Sequence, residues 1–236
     1  MSYDELKILL DINDPAEVLD SIGMLYCGNW LVVCDDGYCH LFGENGRELD
    51  ISSIGCCLSS IVAPVSLKKI VVPDCITHIG RYAFNGYSKL SDVTFSAGIE
   101  LIDEYAFANC ESLKSVELPS RVMCIGGYAF YNCTSLESIE LLSGVRSIGE
   151  CAFAKCESLK SINPSGVESI GGHAFAYCTS LKSIVIPSSV KRIYWCAFYD
   201  CSSLESIVFK GKTLEQVRAM DYYPWAIKDK SIIKCA

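Results

Sequence analysis

The dipeptide Ala-Phe recurs along this chain with its second residue at Phe84, Phe107, Phe130, Phe153, Phe175 and Phe198, at intervals of 23, 23, 23, 22 and 23 residues. A period this short and regular points to one kind of architecture. A unit of that size cannot bury a core alone, so it lays its apolar face on copies of itself and the chain becomes a solenoid. Further columns confirm the frame. Six residues after each Phe stands Leu90, Leu113, Leu136, Leu159, Leu181 or Leu204, and nine after it Val93, Val116, Ile139, Ile162, Ile184 or Ile207. The stretch Leu-x-x-Ile-x-Leu puts apolar residues at alternate positions of a short strand, as at Val116 and Leu118, and parallel copies of it stack at about 4.8 Å.

Three residues after the Phe the column reads Cys110, Cys133, Cys156, Cys178 and Cys201, with Tyr87 in the first copy. This accounts for much of a cysteine content of 15 that otherwise suggests a secreted, disulfide-stapled chain. Free Cys packs as a small apolar residue with a weak donor, and in stacked coils the side chains of one column point in parallel. A reduced structural ladder is therefore expected, and the odd total leaves at least one thiol unpaired in a monomer. The pairs Ile-Gly at 79–80, 125–126, 148–149 and 170–171 suggest a tight or positive-φ turn position, although Asp103 and Tyr194 fill that slot in two copies. Pro119 and Pro187 end their strands. Ser161-Ile-Asn-Pro164 lacks the second strand hydrophobe, sits in the one 22-residue interval, and predicts a locally irregular coil.

Upstream, Ser2-Tyr-Asp-Glu5 forms a capping box before Leu6, Leu9 and Leu10, and Asn13-Asp-Pro15 starts a second helix with Val18, Leu19 and Ile22 as its apolar face. Trp30-Leu-Val-Val-Cys34 and Tyr38-Cys-His-Leu-Phe42 flank Asp35-Asp-Gly37 as a hairpin. The expected organisation is an N-terminal cap over 1–50, repeats over 51–210 with the copies before Ile76 degenerate, and a C-terminal cap over 211–236. The caps cover open coils that would otherwise expose core and sheet edge.

The unit Cys-x-x-Leu-x-x-Ile-x-Leu-Pro-x-x-Val-x-x-Ile-Gly-x-x-Ala-Phe, clearest in Cys110 to Tyr131 and Cys178 to Tyr199, resembles the BspA-like class of leucine-rich repeats over roughly residues 60–210. The tail from Lys210, with Trp225 and Ile232-Ile-Lys-Cys235, is similar to that family's terminal segment. The resemblance implies a curved right-handed solenoid with a parallel sheet on its concave face, used for protein binding and often found on cell surfaces. It implies no chemistry and no cofactor.

Composition narrows the partners. The formal charge of −8 repels phosphate backbones and anionic lipid, which argues against nucleic acid. No run approaches the roughly 18 apolar residues of a membrane span. Met1-Ser-Tyr-Asp-Glu-Leu-Lys7 is acidic where a secretory leader is basic, so a cytoplasmic monomer is expected. Cys39-His40 has no second pair at zinc spacing, and His78 and His173 stand four coils apart. Nothing assembles a nucleophile, base and oxyanion hole, so an enzyme is not expected. The column Tyr82, Tyr105, Tyr128 reads as a stacked, half-buried ladder rather than a ligand cage.

The solvent side of the strands carries the candidate binding residues. One column runs Thr94, Glu117, Glu140, Asn163, Val185, Val208, from acidic to apolar, beside a flat column Asp92, Ser115, Ser138, Ser161, Ser183, Ser206. Tyr194, Trp195 and Tyr199 replace small or polar residues of other copies and mark either a hot-spot patch or the surface on which the C-terminal cap docks, docking being favoured because Tyr222, Tyr223, Pro224 and Trp225 need a packing surface. The reading is a non-enzymatic module binding a protein partner on its concave face. The alternative is an adhesive or structural surface protein.

Overall fold

The computed structural model describes residues 23–27, 30–35, 38–42, 56–58, 68–72 and 76–236. The two N-terminal helices expected over residues 2–22 lie outside the described residues. The hairpin is present: β2 (Trp30–Asp35) pairs antiparallel with β3 (Tyr38–Phe42), with Asp35 opposite Tyr38. A third strand, β1 (Gly23–Cys27), pairs with β2 on its other edge, which sequence reading did not anticipate.

From there the chain winds as a parallel-sheet solenoid of about seven turns. One side of the coil is an unbroken ladder of seven short strands: β4 (Cys56–Leu58), β6 (Ile76–Ile79), β8 (Leu101–Ile102), β10 (Cys124–Ile125), β12 (Ser147–Ile148), β14 (Ser169–Ile170) and β16 (Arg192–Ile193). From β6 to β16 each strand buries its last Ile, and β4 enters with a register shift between Cys56 and Cys57. The other side carries the strands expected from the Leu-x-x-Ile-x-Leu pattern. They are β5 (Lys69–Val71), β7 (Asp92–Thr94), β9 (Ser115–Glu117), β11 (Ser138–Leu141), β13 (Ser161–Pro164), β15 (Ser183–Ile186) and β17 (Ser206–Phe209), and β18 (Ile233–Cys235), outside the repeat frame, adds to β17.

A continuous sheet was expected on this second side, and the hydrogen-bonded ladder is instead divided into β5–β7, β9–β11–β13 and β15–β17–β18. The division after β13 falls where the sequence is one residue short and where Pro164 has no N–H to give. β13 itself is regular. It pairs in register with β11 from Ser138–Ser161 to Leu141–Pro164, and Pro164 is buried in the place of the missing hydrophobe. The irregularity lies between coils rather than within one. The division between β7 and β9 carries no change of repeat length.

Among the described residues the main core is a continuous cluster running from Ile70 to Ile233, with a small second cluster of Cys151, Ala154 and Ala176. Its axis is a stack of phenylalanines, with successive centroids 5.0, 5.3, 5.4, 5.7 and 5.6 Å apart from Phe84 to Phe198 and planes within 14° of parallel. Small Ala before each Phe lets the backbones meet. Phe84 N–H donates to Ala106 O and Phe130 N–H to Ala152 O, while Ala129 N–H turns back to Gly126 O within its own coil. The thiol column also knits coils together. Cys110, Cys133, Cys156 and Cys178 each donate Sγ–H to the carbonyl of the Phe one coil back at 3.2 Å, and Cys201 does so at 3.0 Å. Burial pushes Cys133 and Cys201 up to about 12 and Cys110, Cys156 and Cys178 well above their ordinary value, so these are neutral donors.

Of the two alternatives for the Ile-Gly pairs, the tight position holds and the positive φ does not. Gly126 is not left-handed; it is there for close approach, since a Cβ would stand 2.6 Å from the backbone of Asp103. The positive φ falls two residues on, at Tyr82, Tyr105, Tyr128, Cys151, His173 and Cys196, with φ between 52 and 59°. A second such column follows at Asn109, Asn132, Lys155, Tyr177 and Asp200. None of these positions is β-branched, which fits the cost of that conformation. The first column carries the expected tyrosine ladder: Tyr82 and Tyr105 stack at 4.8 Å, Tyr105 and Tyr128 at 4.6 Å.

Helix occurs within the described residues only after the repeats. Thr213 caps α1 (Leu214–Arg218) through a reciprocal box with Gln216, and Asp229 caps a 3-10 turn over Lys230–Ile232.

Candidate interaction surface

Strand alternation decides which side chains face solvent. In β9 and β11 the pattern is exposed, buried, exposed, so Val116 and Ile139 enter the core while Ser115, Glu117, Ser138 and Glu140 face out. Register then decides which of them meet. Glu117 is the direct partner of Glu140, and Glu140 of Asn163; Val185 is the partner of Val208, and Val208 of Lys234. From Glu117 onwards the column is thus two groups on two ladders, an acidic one ending at Asn163 and an apolar one beginning at Val185, with Thr94 apart on β5–β7. Lys234 ends the apolar group with a cation, and sequence reading missed it because β18 lies outside the repeat frame.

The two glutamates differ from the acids that bridge successive coils. Arg81–Glu104, Glu100–Arg121, Arg146–Glu168, Lys191–Glu168 and Lys160–Glu137 link one coil to the next, and the lysines hold the Glu137 and Glu168 carboxyls below their usual range. Glu117 and Glu140 lie side by side with no cation within ion-pair distance among the described residues. Like charges directly opposite one another on a sheet are unfavourable. The serine column beside them is in register as well, Ser115 with Ser138 and Ser138 with Ser161. It leaves a flat strip of small side chains next to the charge.

Tyr194, Trp195 and Tyr199 do not act as one group. Tyr194 meets Tyr222 at 5.8 Å, which is the expected docking of the cap. Trp195 and Tyr199 stay 47% and 41% exposed. Trp195 covers Gly172 and stands edge-on to His173 at 4.3 Å, and Tyr199 stands edge-on to Tyr177 at 5.4 Å. Cap docking therefore explains one aromatic of three, and His173 and Tyr177 join the other two. The signal for Tyr177 was its place in the slot that holds Asn109 and Asn132.

Among the described residues no three His, Cys, Asp or Glu side chains converge as metal ligands, and no helix is long and apolar enough to cross a membrane. Cys39 and His40 fall in β3, whose side chains lie outside the described residues. On the left-handed turn face, Tyr128 is raised by its hydrogen bond with Cys151 and then by burial, and the Cys151 thiol is raised chiefly by burial. Neither is poised for proton transfer near neutral pH.

Known proteins place this geometry. The chain is similar to the crystal structure of a leucine rich cell surface protein from Faecalibacterium prausnitzii A2-165, with 32% identity and a TM-score of 0.54 over 66% of this chain and 51% of that one. It also matches a leucine-rich repeat protein from Eubacterium ventriosum ATCC 27560, with a TM-score of 0.60 over 86% of this chain and 48% of that one; at 20% identity this speaks for the fold alone. The chain spans about half the length of each. No curated protein matches it. The family model of the BspA type leucine rich repeat region, in six copies, matches residues 62–164 and 162–223. The stacked Phe and Cys columns are the interior of those copies, and the chain belongs to the BspA-type leucine-rich repeat family.

Proposed function

We propose that this chain is a non-enzymatic protein-interaction module whose exposed strand face receives a partner segment that is basic at one end and apolar at the other. The observation that carries this reading is the register pair Glu117–Glu140, two carboxylates directly opposite one another with no cation within ion-pair distance among the described residues. A basic segment relieves that repulsion and is steered by it. Asn163 offers a polar contact between the acids and Val185–Val208, where Val185 is 37% exposed. Burial of the valine pair then supplies residence time.

The test uses a partner captured with the intact chain. Replacing Val185 and Val208 together by Glu weakens binding more than tenfold, equivalent to about 1.4 kcal/mol, while the fold is kept. Replacing Glu117 and Glu140 together by Lys mainly slows association and reverses its salt dependence. If both double variants bind as the parent does, this face is not the site, and Trp195 with Tyr199 is the next candidate.

A second reading, an adhesive or structural repeat protein of the cell surface, is supported by the description of the F. prausnitzii protein as a cell surface protein. Fractionation of the source cells separates it from an internal module: recovery with the envelope favours it, and recovery with the soluble fraction favours the cytoplasmic expectation.

A further inference from the structure

Three residues before each repeat Phe runs a column of Arg81, Glu104, Gly127, Glu150, Gly172 and Trp195, beside the left-handed turns. Its two ends are built differently. At the first, the Arg81 guanidinium lies over the Tyr82 ring at 5.2 Å and pairs with Glu104 of the next coil at 2.8 Å. Ring, cation and carboxylate there form one closed unit. At the other end Trp195 lays its indole back over Gly172, with three ring atoms 3.0, 3.1 and 3.4 Å from where a Cβ would stand, and His173 stands edge-on to it. One coil further back, about 4.8 Å on, is the exposed Glu150. Ring and carboxylate are present here and the cation is not. Among the described residues no cation lies over Trp195 or Tyr199, and none is within ion-pair distance of Glu150.

Trp195 is not exposed for want of a following coil. The segment 222–227 keeps the backbone frame of the repeat: Trp225 N–H donates to Tyr222 O and Ile227 N–H to Pro224 O, as Ala174 and Ala176 do to Gly171 and His173. Phe198 N–H reaches Trp225 O as Phe175 N–H reaches Ala197 O. By this register Trp225-Ala226 fill the Ala-Phe slots, Tyr222 follows Tyr194, which it touches, and Tyr223 follows Trp195 in its column. Tyr223 already carries Lys230 over its ring at 6.0 Å, as Tyr131 carries Lys155 at 5.2 Å. Trp195 therefore lies on the flank of the solenoid, between coils that are both in place, and is still exposed.

We propose that this flank receives an arginine side chain of another polypeptide, with the guanidinium flat on the open indole face beside Tyr199 and its N–H groups donating to Glu150. The Arg81 unit shows the same three partners assembled within the chain. Indole is the ring that attracts a cation most strongly. A planar guanidinium can stack on it and still donate in its own plane to a carboxylate, which an ammonium cannot do as well. The net charge of −8 favours a cationic partner over an anionic one. Exposed Tyr177 and Tyr199, edge-on to one another, offer the residues flanking that arginine a rigid surface that is apolar and also hydrogen-bonding, which selects a polypeptide over a free guanidinium compound. The site is independent of the Glu117–Val208 face.

The probe is a blocked pentapeptide, Gly-Ser-Arg-Ser-Gly, with counterparts carrying citrulline or lysine in place of arginine. Each is added to the intact chain labelled with fluorotryptophan and followed by fluorine NMR. The arginine peptide should shift the Trp195 resonance saturably and leave that of the fully buried Trp225 in place. Citrulline, equally flat but uncharged, should bind about tenfold more weakly, with lysine between the two. Glu150→Gln should weaken the arginine peptide and leave the citrulline peptide as before. In Trp195→Ala the saturation transferred from protein to the arginine methylenes should vanish, while an unchanged Trp225 resonance reports an intact fold. Replacing Glu117 and Glu140 together by Gln should leave this binding unaltered, which separates it from the strand face. No shift at Trp195, equal affinity for the arginine and citrulline peptides, or no effect of Glu150→Gln overturns the proposal. A Trp195 shift produced by cello-oligosaccharides and not by the arginine peptide assigns the flank to a glycan, and concentration-dependent dimerisation lost in Trp195→Ala assigns it to a second copy; either result also overturns it.

Discussion

The Phe130 coil and the Phe198 coil have the same interior residues and different neighbours. Phe130 is stacked on both faces, by Phe107 at 5.3 Å and Phe153 at 5.4 Å, and Cys133 and Leu136 beside it are fully buried. Phe198 has a ring on one face only, Phe175 at 5.6 Å, and Cys201 and Leu204 beside it are half covered. Because the residue types match, the difference isolates what a following coil contributes. A repeat is stabilised by its interfaces more than by its own composition, and the terminal coil supplies a smaller interface through Trp-Ala than the regular ones do through Ala-Phe.

The largest effect expected from this comparison is on the stack. Phe130→Ala should destabilise by about 3–5 kcal/mol, the usual range for a buried Phe. Phe198→Ala should cost less, by about 1 kcal/mol, because one aromatic pair rather than two is lost. Chemical denaturation of both variants checks this. Phe198 is itself only 1% exposed, so equal losses would mean that cover rather than a second stacked ring sets the cost, and a Phe130→Ala loss well under about 1 kcal/mol would contradict its place in the core.

A smaller effect should come from alkaline pH. Burial raises the Cys133 thiol from 9.0 to about 12, and Cys156 well above 9.0. A folded-state value raised above the unfolded one gives stability that is complete below the unfolded value and is lost as pH rises through the folded one. Melting temperature should therefore be insensitive to these thiols at pH 6–8 and decline from about pH 9 towards 12. Cys156→Ala should flatten that decline. An unchanged slope in the variant would show that Cys156 does not contribute. The two coils differ here too: Cys201, half covered, should react with maleimide ahead of Cys156 in the native protein.

How much of this was legible beforehand depends on whether a residue is constrained by packing. The 23-residue period made the Phe, Cys, Leu and Ile columns readable, because a residue buried between identical neighbours must be the same in each copy. The Gly slot could be read only as tight or left-handed, because Gly serves both needs; it is tight, and the left-handed residue stands two places on. Here coil-to-coil bonds such as Tyr105 N–H to Gly127 O hold Tyr, Cys and His in that conformation. The division of the sheet after β13 was half legible, since the shortened interval and Pro164 were noticed but placed within a coil rather than between two. The terminal coil was opaque: Tyr222-Tyr223-Pro224-Trp225-Ala226-Ile227 shares no residue pattern with the repeat, and only its hydrogen bonds show the common frame. Alternation correctly put Glu117, Glu140, Asn163, Val185 and Val208 on the outside. It could not say that they fall on two ladders, because solvent-facing residues do not constrain how the backbones below them pair.

The smallest effect expected is that of reductant, and it bears on both coils at once. Nine cysteines from Cys110 to Cys235 are free thiols. The five in the interior column point at Phe carbonyls one coil back rather than at one another. A disulfide between neighbouring members would break two of these bonds and turn side chains that now run in parallel. If the fold relied on such a bridge, reduction would remove about 2–5 kcal/mol. In a chain of this size each 1 kcal/mol moves the melting temperature by about 2–4 °C. Thermal unfolding with and without a phosphine reductant should give midpoints within about 1 °C. A drop of several degrees would mean that thiols in the chain pair after folding, which would place the folded protein in an oxidising compartment and shift the balance towards the surface reading. In that case the comparison between coils would locate the bridge. Half-covered Cys201 and exposed Cys235 are accessible to an oxidant, and the fully buried Cys133 and Cys156 are not.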